Sequence, residues 1–249
     1  MTERRRTALV TGAGAGIGRA FARRLAADGH RVIAVARGAD RLRSLMDELG
    51  PGHAYVAADL TIADGRRKTV DVLARERVHL LVNNAGTAVT GPFATVPLAA
   101  TLSMTELNCD ALVTLAHHFL ARAEPGDALL NVSSTLAFAP KPDLAVYSAT
   151  KAFVTSFSEA LWYEHKDRGV HVMGLCPGMT ATASQPHNGP DIPAGLVQTP
   201  EQVVTAALTA LRRRSRPTVV SGWKNALFVT AARLLPRRVL LGMLAPARS

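Results

Sequence analysis

Tyr147 and Lys151 are the residues whose types and spacing point most directly to chemistry. They stand four apart in the run YSATK, which puts both side chains on one face of a helix, about one turn apart. A phenol loses its proton only near pH ~10, and a neighbouring ammonium favours tyrosinate and lowers that pKa. The spacing therefore predicts a proton-transfer pair; a packed tyrosine beside a solvated lysine is the alternative.

Polar and glycine-rich residues follow three of the apolar runs that read as strands. Ser133 and Ser134 end the run 128–133, the residues NNAG at 83–86 follow 78–82, and Pro177-Gly178 follows 170–175. The carboxyl ends of parallel strands share one edge of a sheet, and ligands bind at that edge. We expect these residues to converge on one crevice where a serine hydroxyl orients a substrate oxygen, although each alone is compatible with ordinary turn chemistry.

A glycine-rich turn, TGAGAGIG at 11–18, joins the first apolar run to the first helical pattern. Glycines permit a tight turn and let the backbone approach a pyrophosphate, whose charge is favoured at a helix N-terminus. The glycines stand at Gly12, Gly16 and Gly18, a TGxxxGxG spacing that differs from the plain GxGxxG. The turn predicts a dinucleotide site, and a turn without a ligand is the alternative.

The end of the second apolar run bears on the choice of dinucleotide. NAD enzymes place a carboxylate there on the adenosine ribose, whereas this chain has Ala36 followed by Arg37. A guanidinium binds a 2′-phosphate in a forked geometry, and Arg41, one helical turn on, could assist. We favour NADP(H) over NAD(H), with a solvated surface arginine as the alternative. Asp59 is predicted near the adenine edge or as a helix N-terminal carboxylate.

These residues need elements to position them, and short runs of Val, Ile and Leu alternate with helical patterns along the chain. The alternation predicts one α/β domain over 1–249, a Rossmann-type doubly wound parallel sheet. The apolar runs are mostly continuous, which is typical of strands buried on both faces. The irregular stretch 179–199 is predicted to be a substrate loop. Strands are predicted at 7–11, 31–36, 53–57, 78–82, 128–133, 170–175 and 217–221, and helices at 17–28, 39–49, 63–76, 97–121, 145–168 and 200–214.

Composition narrows the class of protein. The net charge of +10 suggests nucleic-acid binding, but the arginines are scattered along the sequence and no nucleic-acid-binding motif is present. Cys109 and Cys176 are too few for a disulfide framework and predict reduced thiols in the cytoplasm. The pair at 117–118, His-His, lacks a third ligand, so no metal is expected. The sequence has no run of about 18 apolar residues, so we predict no transmembrane helix. The use of Arg in place of Lys hints at a bacterium with a GC-rich genome.

The C-terminal segment 222–249 repeats apolar residues at helical spacing around Arg233, Arg237 and Arg238, with a break at Pro236. One interpretation is an amphipathic anchor on an anionic membrane, or a flap for a lipophilic substrate. We favour the other, a final helix that packs on the sheet or on a partner subunit, because apolar helical stripes are usually core.

In their order along the chain, TGAGAGIG, NNAG, NVSS, YSATK and PG resemble the short-chain dehydrogenase/reductase family over about residues 7–182. The resemblance, closest to NADP-preferring bacterial members of unassigned substrate, implies a seven-stranded parallel sheet with helices on both faces. It also implies hydride transfer between NADP(H) and a carbonyl or secondary alcohol. A homodimer or homotetramer through the helices near 97–121 and 145–168 is a further implication.

The resemblance assigns roles residue by residue. Tyr147 would be the proton donor or acceptor, Lys151 would lower its pKa and hold the nicotinamide ribose, and Ser134, rather than Ser133, would orient the substrate. Asn108 would hold a water in a proton relay. Ala15 departs from relatives that carry a basic residue there. From the turn and the resemblance together, the predicted cofactor contacts are Thr11, Gly12, Gly14, Gly16, Ile17, Gly18, Arg37, Arg41, Asp59, Leu60, Asn83, Ala85, Gly86, Tyr147, Lys151, Pro177, Gly178, Thr180 and Thr182.

The sequence thus predicts an NADPH-dependent reductase of a ketone or aldehyde. Because no residue of the segment 179–199 picks out a charged ligand, we expect an apolar or polyketide-like carbonyl. Two other classes stay open. One is a regulatory or scaffold protein that binds NADP(H) without turnover, against which the complete set of predicted catalytic residues argues. The other is a peripheral membrane enzyme acting on lipid, which only the C-terminal segment supports.

Overall fold

The computed structural model describes residues 5–182 and 197–245. Seven strands in this part of the chain form one parallel sheet in the order β3-β2-β1-β4-β5-β6-β7. The predicted α/β class with a seven-stranded parallel sheet is therefore confirmed. The strands are β1 (Thr7–Thr11), β2 (Arg31–Ala36), β3 (Ala54–Ala57), β4 (Leu80–Asn83), β5 (Ala128–Val132), β6 (His171–Cys176) and β7 (Thr218–Val220).

Helices cover both faces of the sheet. They are α1 (Gly16–Ala27), α2 (Ala39–Leu49), α3 (Ala63–Arg75), α4 (Leu98–Thr105), α5 (Ala111–Leu120), α6 (Ala145–His165), α7 (Pro200–Arg213), α8 (Trp223–Leu234) and α9 (Arg237–Leu244). No helix among the described residues is long and apolar enough to cross a membrane.

Continuous apolar strands form because each face of the sheet has its own core. Successive strand residues point to opposite faces, so Ala8 and Val10 pack with α1, α2 and α7. Leu9, between them, packs on the other side with α3 and α5. Burial on both sides excludes polar residues from the strand centres and leaves them at the strand ends.

The strand order creates the crevice. The chain runs outward from β1 to β2 and β3, then crosses back to place β4 on the other side of β1. Crossovers leave β1 and β4 in opposite directions, which opens a cleft beyond the carboxyl ends of these two strands. The glycine turn follows β1, and Asn83 ends β4, so both lie at this cleft.

Three predicted helices differ from expectation in their detail. The stretch 97–121 consists of α4, a π-helical turn (Glu106–Asp110) and α5. The stretch 145–168 is α6 followed by a short 3₁₀ turn. The C-terminal segment contains two helices, α8 and α9, because Pro236 cannot continue the first. Other predicted boundaries agree within two residues. Of the predicted substrate loop, 183–196 lies outside the described residues.

Candidate active site

Tyr147 lies in the first turn of α6 and Lys151 one turn further on, with the Lys151 Nζ 5.6 Å from the centre of the Tyr147 ring. Tyr147 is also hydrogen-bonded to Ser134, which follows β5. Burial raises the pKa of Tyr147 by more than this hydrogen bond lowers it. The expected lowering of the pKa by Lys151 is therefore not found. A phenol that stays protonated at neutral pH is suited to donating its proton.

Lys151 is almost completely buried, with 5% of its surface exposed. Its Nζ donates a hydrogen bond to the carbonyl oxygen of Val132 at 2.9 Å. Burial lowers the pKa of this lysine to about 8, because an ammonium is poorly solvated in the interior. The ammonium is thus fixed at the carboxyl end of β5 and still mostly charged at neutral pH.

The two adjacent serines have different surroundings. The Ser133 Oγ donates to the Lys151 carbonyl oxygen at 2.7 Å and shares a hydrogen bond of 2.7 Å with the Thr155 Oγ1. Ser133 therefore ties β5 to α6. The Ser134 Oγ accepts from the backbone N–H of Leu136 at 3.2 Å and lies beside Tyr147. Of the two hydroxyls, only that of Ser134 faces Tyr147.

Asn108 lies in the π-helical turn and is 1% exposed. Its Oδ1 accepts from the Thr87 N–H, and its Nδ2 donates to the Thr87 carbonyl and to the Thr150 Oγ1, each at 3.0 Å. A β-carbon on Gly86 would lie 3.1 Å from the Asn108 Oδ1 and 3.4 Å from the Lys151 Nζ. Asn108 thus fixes the segment after β4 against α6, and glycine is needed where that segment meets the lysine.

Thr11 and Asn84 hold the glycine turn to the end of β4. The Thr11 Oγ1 accepts from the N–H groups of Asn84 and Ala85 at 2.9 and 3.0 Å. The Asn84 Nδ2 donates to the Thr11 carbonyl at 2.9 Å. Sequence reasoning missed Asn84, although the order of β1 beside β4 and the alternation of side chains along an extended segment could have indicated it.

Asn83, which we predicted as a cofactor contact, points the other way. Its buried Nδ2 donates to the Leu112 carbonyl at 3.2 Å and to the Asn131 Oδ1 at 3.1 Å. Asn131 in turn donates to the Ser158 Oγ at 3.0 Å. The Asn83 side chain is therefore committed to joining β4, β5 and α5 and does not face the turn.

Glycine is required in this turn because parts of the backbone approach each other closely. Gly12 has a φ of +66°, and a β-carbon on Gly18 would lie 2.3 Å from the Gly12 carbonyl oxygen. Helix α1 begins at Gly16 with no side-chain cap from Ala15. The backbone N–H groups of its first turn therefore have no side-chain acceptor, as an anion site at a helix N-terminus requires. Ile17 packs against the core beneath the turn.

Two exposed arginines flank this turn. Arg41 lies against Gly14 and Gly38, since a β-carbon on Gly38 would lie 3.2 Å from its Nε. Arg37 follows β2, and its charge helps to lower the pKa of Asp59. Neither guanidinium forms an ion pair with another residue in the described ranges 5–182 and 197–245. The pair leaves positive charge beside the turn.

Asp59 stabilises the turn that leads into α3. Its Oδ1 accepts from the Thr61 N–H at 3.0 Å and the Thr61 Oγ1 at 2.7 Å. Burial would raise the pKa of Asp59, but the two hydrogen bonds from Thr61 and the charge of Arg37 outweigh burial and lower it. Its neighbour Leu60 is buried in the core. This geometry is nearer to the local carboxylate role that we gave as the alternative.

The segment after β6 closes the site from the other side. The Pro177 carbonyl accepts from the Thr135 N–H at 2.9 Å. The buried Thr180 Oγ1 donates to the Gly178 carbonyl at 3.1 Å. A β-carbon on Gly16 would lie 3.0 Å from the Thr182 Cγ2, so Thr182 lies directly against the glycine turn. The segment between Pro177 and Thr182 thus bridges β6 and the turn.

A shallow, largely apolar depression lies at the start of α6, beside Ala145 and Val146. The segment 89–96 forms one wall and is held by a hydrogen bond of 2.8 Å from the Gly91 N–H to the Asp143 carbonyl. Sequence reasoning did not assign this wall to the site, because the segment has no motif and lies far from Tyr147 along the chain. The residues facing the depression include Val89, Phe93, Val96, Met104, Asp143 and Val146.

Comparisons with known proteins show the family of this chain. The family model described as short chain dehydrogenase matches residues 6–192. The serine 3-dehydrogenase of Rhizobium radiobacter is 37% identical over 180 residues, which cover 71% of this chain and 72% of that protein. The very-long-chain 3-oxoacyl-CoA reductase of Macaca fascicularis is 30% identical over 232 residues, 87% of this chain and 73% of that protein. A short-chain dehydrogenase from Sphingobium yanoikuyae, solved in complex with NADPH, superimposes with a TM-score of 0.78 at 30% identity and 98% coverage of both chains.

Proposed function

The chain belongs to the short-chain dehydrogenase/reductase family of oxidoreductases, and from this premise we propose that it is an NADPH-dependent carbonyl reductase with Tyr147 as the acid. The observation that carries the proposal is the meeting of Ser134, Tyr147 and Lys151 at the carboxyl edge of the sheet, beside the glycine turn. NADPH, when bound, would supply the hydride. Tyr147 would donate its proton to the carbonyl oxygen while Ser134 holds that oxygen in place.

The preference for NADP(H) supports reduction as the working direction. Burial raises the pKa of Tyr147, so the phenol carries its proton at neutral pH, which is the form in which it can act as the acid. Lys151, at a pKa of about 8, is mostly charged at neutral pH, and its ammonium would hold the nicotinamide ribose. Asn108 acts as a positioning residue, because it fixes Thr87 and Thr150 around this pair.

The residues around the glycine turn fit NADP(H). The uncapped N-terminus of α1 and the close approach allowed at Gly12 and Gly18 suit a pyrophosphate. Arg37 and Arg41 supply exposed guanidinium groups where a 2′-phosphate would lie. The NADPH complex of the Sphingobium relative supports the same choice.

The apolar surface at the start of α6 supports an apolar substrate. Valine, phenylalanine and methionine side chains line most of the shallow depression there, so contact with an apolar carbon skeleton is favourable. The relative whose name gives a very-long-chain 3-oxoacyl-CoA as substrate also acts on a carbonyl next to a hydrocarbon chain. We therefore propose a ketone or aldehyde with an apolar carbon skeleton.

We further propose that the enzyme is a cytoplasmic homodimer or homotetramer assembled through α4, α5 and α6. Large apolar side chains on these helices are exposed in the isolated chain, among them Leu98, Leu102 and Phe153. Light scattering should then give two or four times the chain mass of 26.4 kDa. A monomer at working concentration would exclude this assembly.

The deciding experiment follows NADPH absorbance with a panel of apolar ketones and aldehydes. Tyr147→Phe should lose about 10²- to 10⁴-fold in kcat while its Kd for NADPH stays unchanged. Tyr163→Phe is the matched control, since Tyr163 lies on the same helix and is 65% exposed. NADPH binding without turnover of any substrate would favour the non-catalytic regulatory or scaffold protein. Turnover that survives in Tyr147→Phe would remove Tyr147 as the acid.

A further inference from the structure

The positive charge of the protein is concentrated at one end of the chain. Residues 202–249 contain nine of the 29 Lys and Arg residues and none of the 19 Asp and Glu residues. The first 201 residues therefore carry 20 basic and 19 acidic side chains, a net charge of +1. The remaining +9 belongs to α7, β7, α8, α9 and the residues that join and follow them. The arginines at the end of α7 lie at the other edge of the sheet, because Arg214 donates to carbonyls just before β5 and β6. Helices α8 and α9 contain four basic side chains and no acidic one, and this excess of positive charge attracts an anionic surface to them.

Helix α8 presents an apolar stripe to solvent. Trp223, Leu227 and Leu234 stand at positions i, i+4 and i+11, and these positions lie on one face of a helix. Their exposed fractions are 74%, 64% and 81%. In α9, Val239 and Met243 stand four apart and are also exposed. The described part of the chain therefore leaves this side of the segment uncovered, and the predicted packing on a partner subunit stays a prediction.

The opposite side of the two helices is fastened to the body of the protein. Ala232 and Leu240 are buried against Ala139. The Arg233 guanidinium lies 4.4 Å from the centre of the Phe138 ring, and Arg237 donates to the Phe138 carbonyl at 3.0 Å. These contacts fix the orientation of both helices, so the apolar stripe faces away from the protein.

We propose that the outward face of α8 and α9 is a docking surface for a bilayer containing anionic phospholipid. Trp, Leu and Met side chains enter the boundary between headgroups and acyl chains, and Lys and Arg side chains pair with the lipid phosphates, which is the composition of interfacial helices. Charge decides between lipid and a second copy of the chain as occupant. A second copy would bring the same acid-free, positively charged helices against this face, and like charges repel.

Docking in this orientation would place the substrate entrance near the membrane. Phe138 and Ala139, which hold α8 and α9, follow the short 3₁₀ turn Thr135–Ala137 and therefore Ser134. An apolar substrate dissolved in the bilayer would then have a short path to the site. The docking surface itself does not depend on the proposed reaction, because none of its residues belongs to the catalytic set.

Vesicle flotation tests the proposal with the full chain. We expect binding to phosphatidylcholine vesicles containing phosphatidylglycerol, and binding about tenfold weaker for the double variant Leu227→Ser/Leu234→Ser. Arg238→Glu should weaken binding mainly at low salt. Tyr163→Ser, which removes an equally exposed apolar residue from α6, is the matched control and should bind as the wild type does. Fluorescence from Trp223 should shift to shorter wavelength on binding, and Trp223→Phe should remove that shift.

Three outcomes would overturn the proposal. The first is no binding of the wild type to anionic vesicles at low salt. The second is equal binding by the wild type and the double variant, because the apolar stripe would then play no part. The third is an oligomer in solution that the double variant alone dissociates, since a second copy would then occupy the face. Circular dichroism of the double variant checks that its helices remain folded.

Discussion

At the scale of single residues, burial shifts the pKa values of the two ionisable groups of the site in opposite directions. It raises the pKa of the Tyr147 phenol and lowers that of the Lys151 ammonium to about 8. Each shift disfavours the charged form. The resting site therefore holds a neutral phenol beside an ammonium that is close to losing its proton. A carbonyl reductase needs this state, because the tyrosine must hold a proton before it can transfer one to the substrate.

The lowered pKa of Lys151 makes stability depend on pH with a definite sign. Between pH 8 and the ordinary lysine pKa of 10.5, the unfolded chain binds more protons than the folded one, so the free energy of unfolding rises with pH. Below pH 8 the cost of burying the ammonium is fully present. Lys151→Met should therefore stabilise the cofactor-free protein at pH 7, by at most about 3 kcal/mol, and abolish turnover.

Denaturant unfolding of both proteins at pH 7 and at pH 10 measures this difference. The advantage of the variant should shrink as pH rises, because the wild-type lysine then becomes neutral. Lys166→Met is the control, since Lys166 is an exposed lysine on the turn that ends α6. An advantage that is constant across this pH range would contradict the assignment of the buried lysine.

At the scale of the elements, the sequence predicted the strands, most helices and the edge at which the site lies. These follow from local rules, since doubly buried strands are continuously apolar and glycine is needed where backbones approach closely. The π-helical turn at 106–110 was not predicted, because one extra residue per turn leaves no mark in a helical pattern. The hydrogen bonds between Asn84 and the glycine turn were not predicted for a different reason. They depend on which face each side chain takes after β4, which only the tertiary structure fixes.

Asn108 connects the π-helical turn to two other elements. Asn108→Ala would leave the Thr87 backbone groups and the buried Thr150 hydroxyl without this partner and should cost about 1 to 3 kcal/mol of stability. kcat should fall as well, because Gly86 and Lys151 lose their fixed neighbour. Thr114→Ala is a control on the next helix, α5, since the Thr114 hydroxyl donates to the backbone carbonyl of the exposed Asp110. A variant with wild-type stability and kcat would show that the turn needs no such connection.

The glycine turn gives a second prediction about elements. Gly18→Ala should destabilise the protein by about 2 to 3 kcal/mol and prevent NADPH binding, because its β-carbon would meet the Gly12 carbonyl at 2.3 Å. Gly242→Ala is the matched control: it lies within α9 with no atom near its β-carbon, and alanine there should stabilise by about 0.5 to 1 kcal/mol. Thermal unfolding and NADPH titration of both variants test the pair. If Gly18→Ala binds NADPH normally, the turn does not hold the pyrophosphate.

At the scale of the whole molecule, the site is an assembly of strand ends that only the complete sheet brings together. The glycine turn follows β1, the segment with Gly86 follows β4, Ser134 follows β5 and Thr182 lies beyond β6. These segments belong to different crossovers of the sheet. A ligand that bridges them stabilises the folded chain as a whole, so its affinity can be measured as a change in global stability.

The last prediction uses this coupling to test the choice of cofactor. At a concentration about 100-fold above its Kd, NADPH should add about 2.7 kcal/mol to the free energy of unfolding. For a chain of 249 residues that corresponds to a rise in Tm of about 5 to 10 °C. NADH at the same concentration should raise the Tm by much less, because it lacks the 2′-phosphate for Arg37 and Arg41. Arg37→Ala should bring the NADPH response close to that of NADH. The control is Arg43→Ala, since Arg43 lies on α2 shortly after Arg37 but is already paired with Asp40. Equal responses of the wild type to both cofactors would refute the preference for NADPH and leave the reductase proposal itself standing.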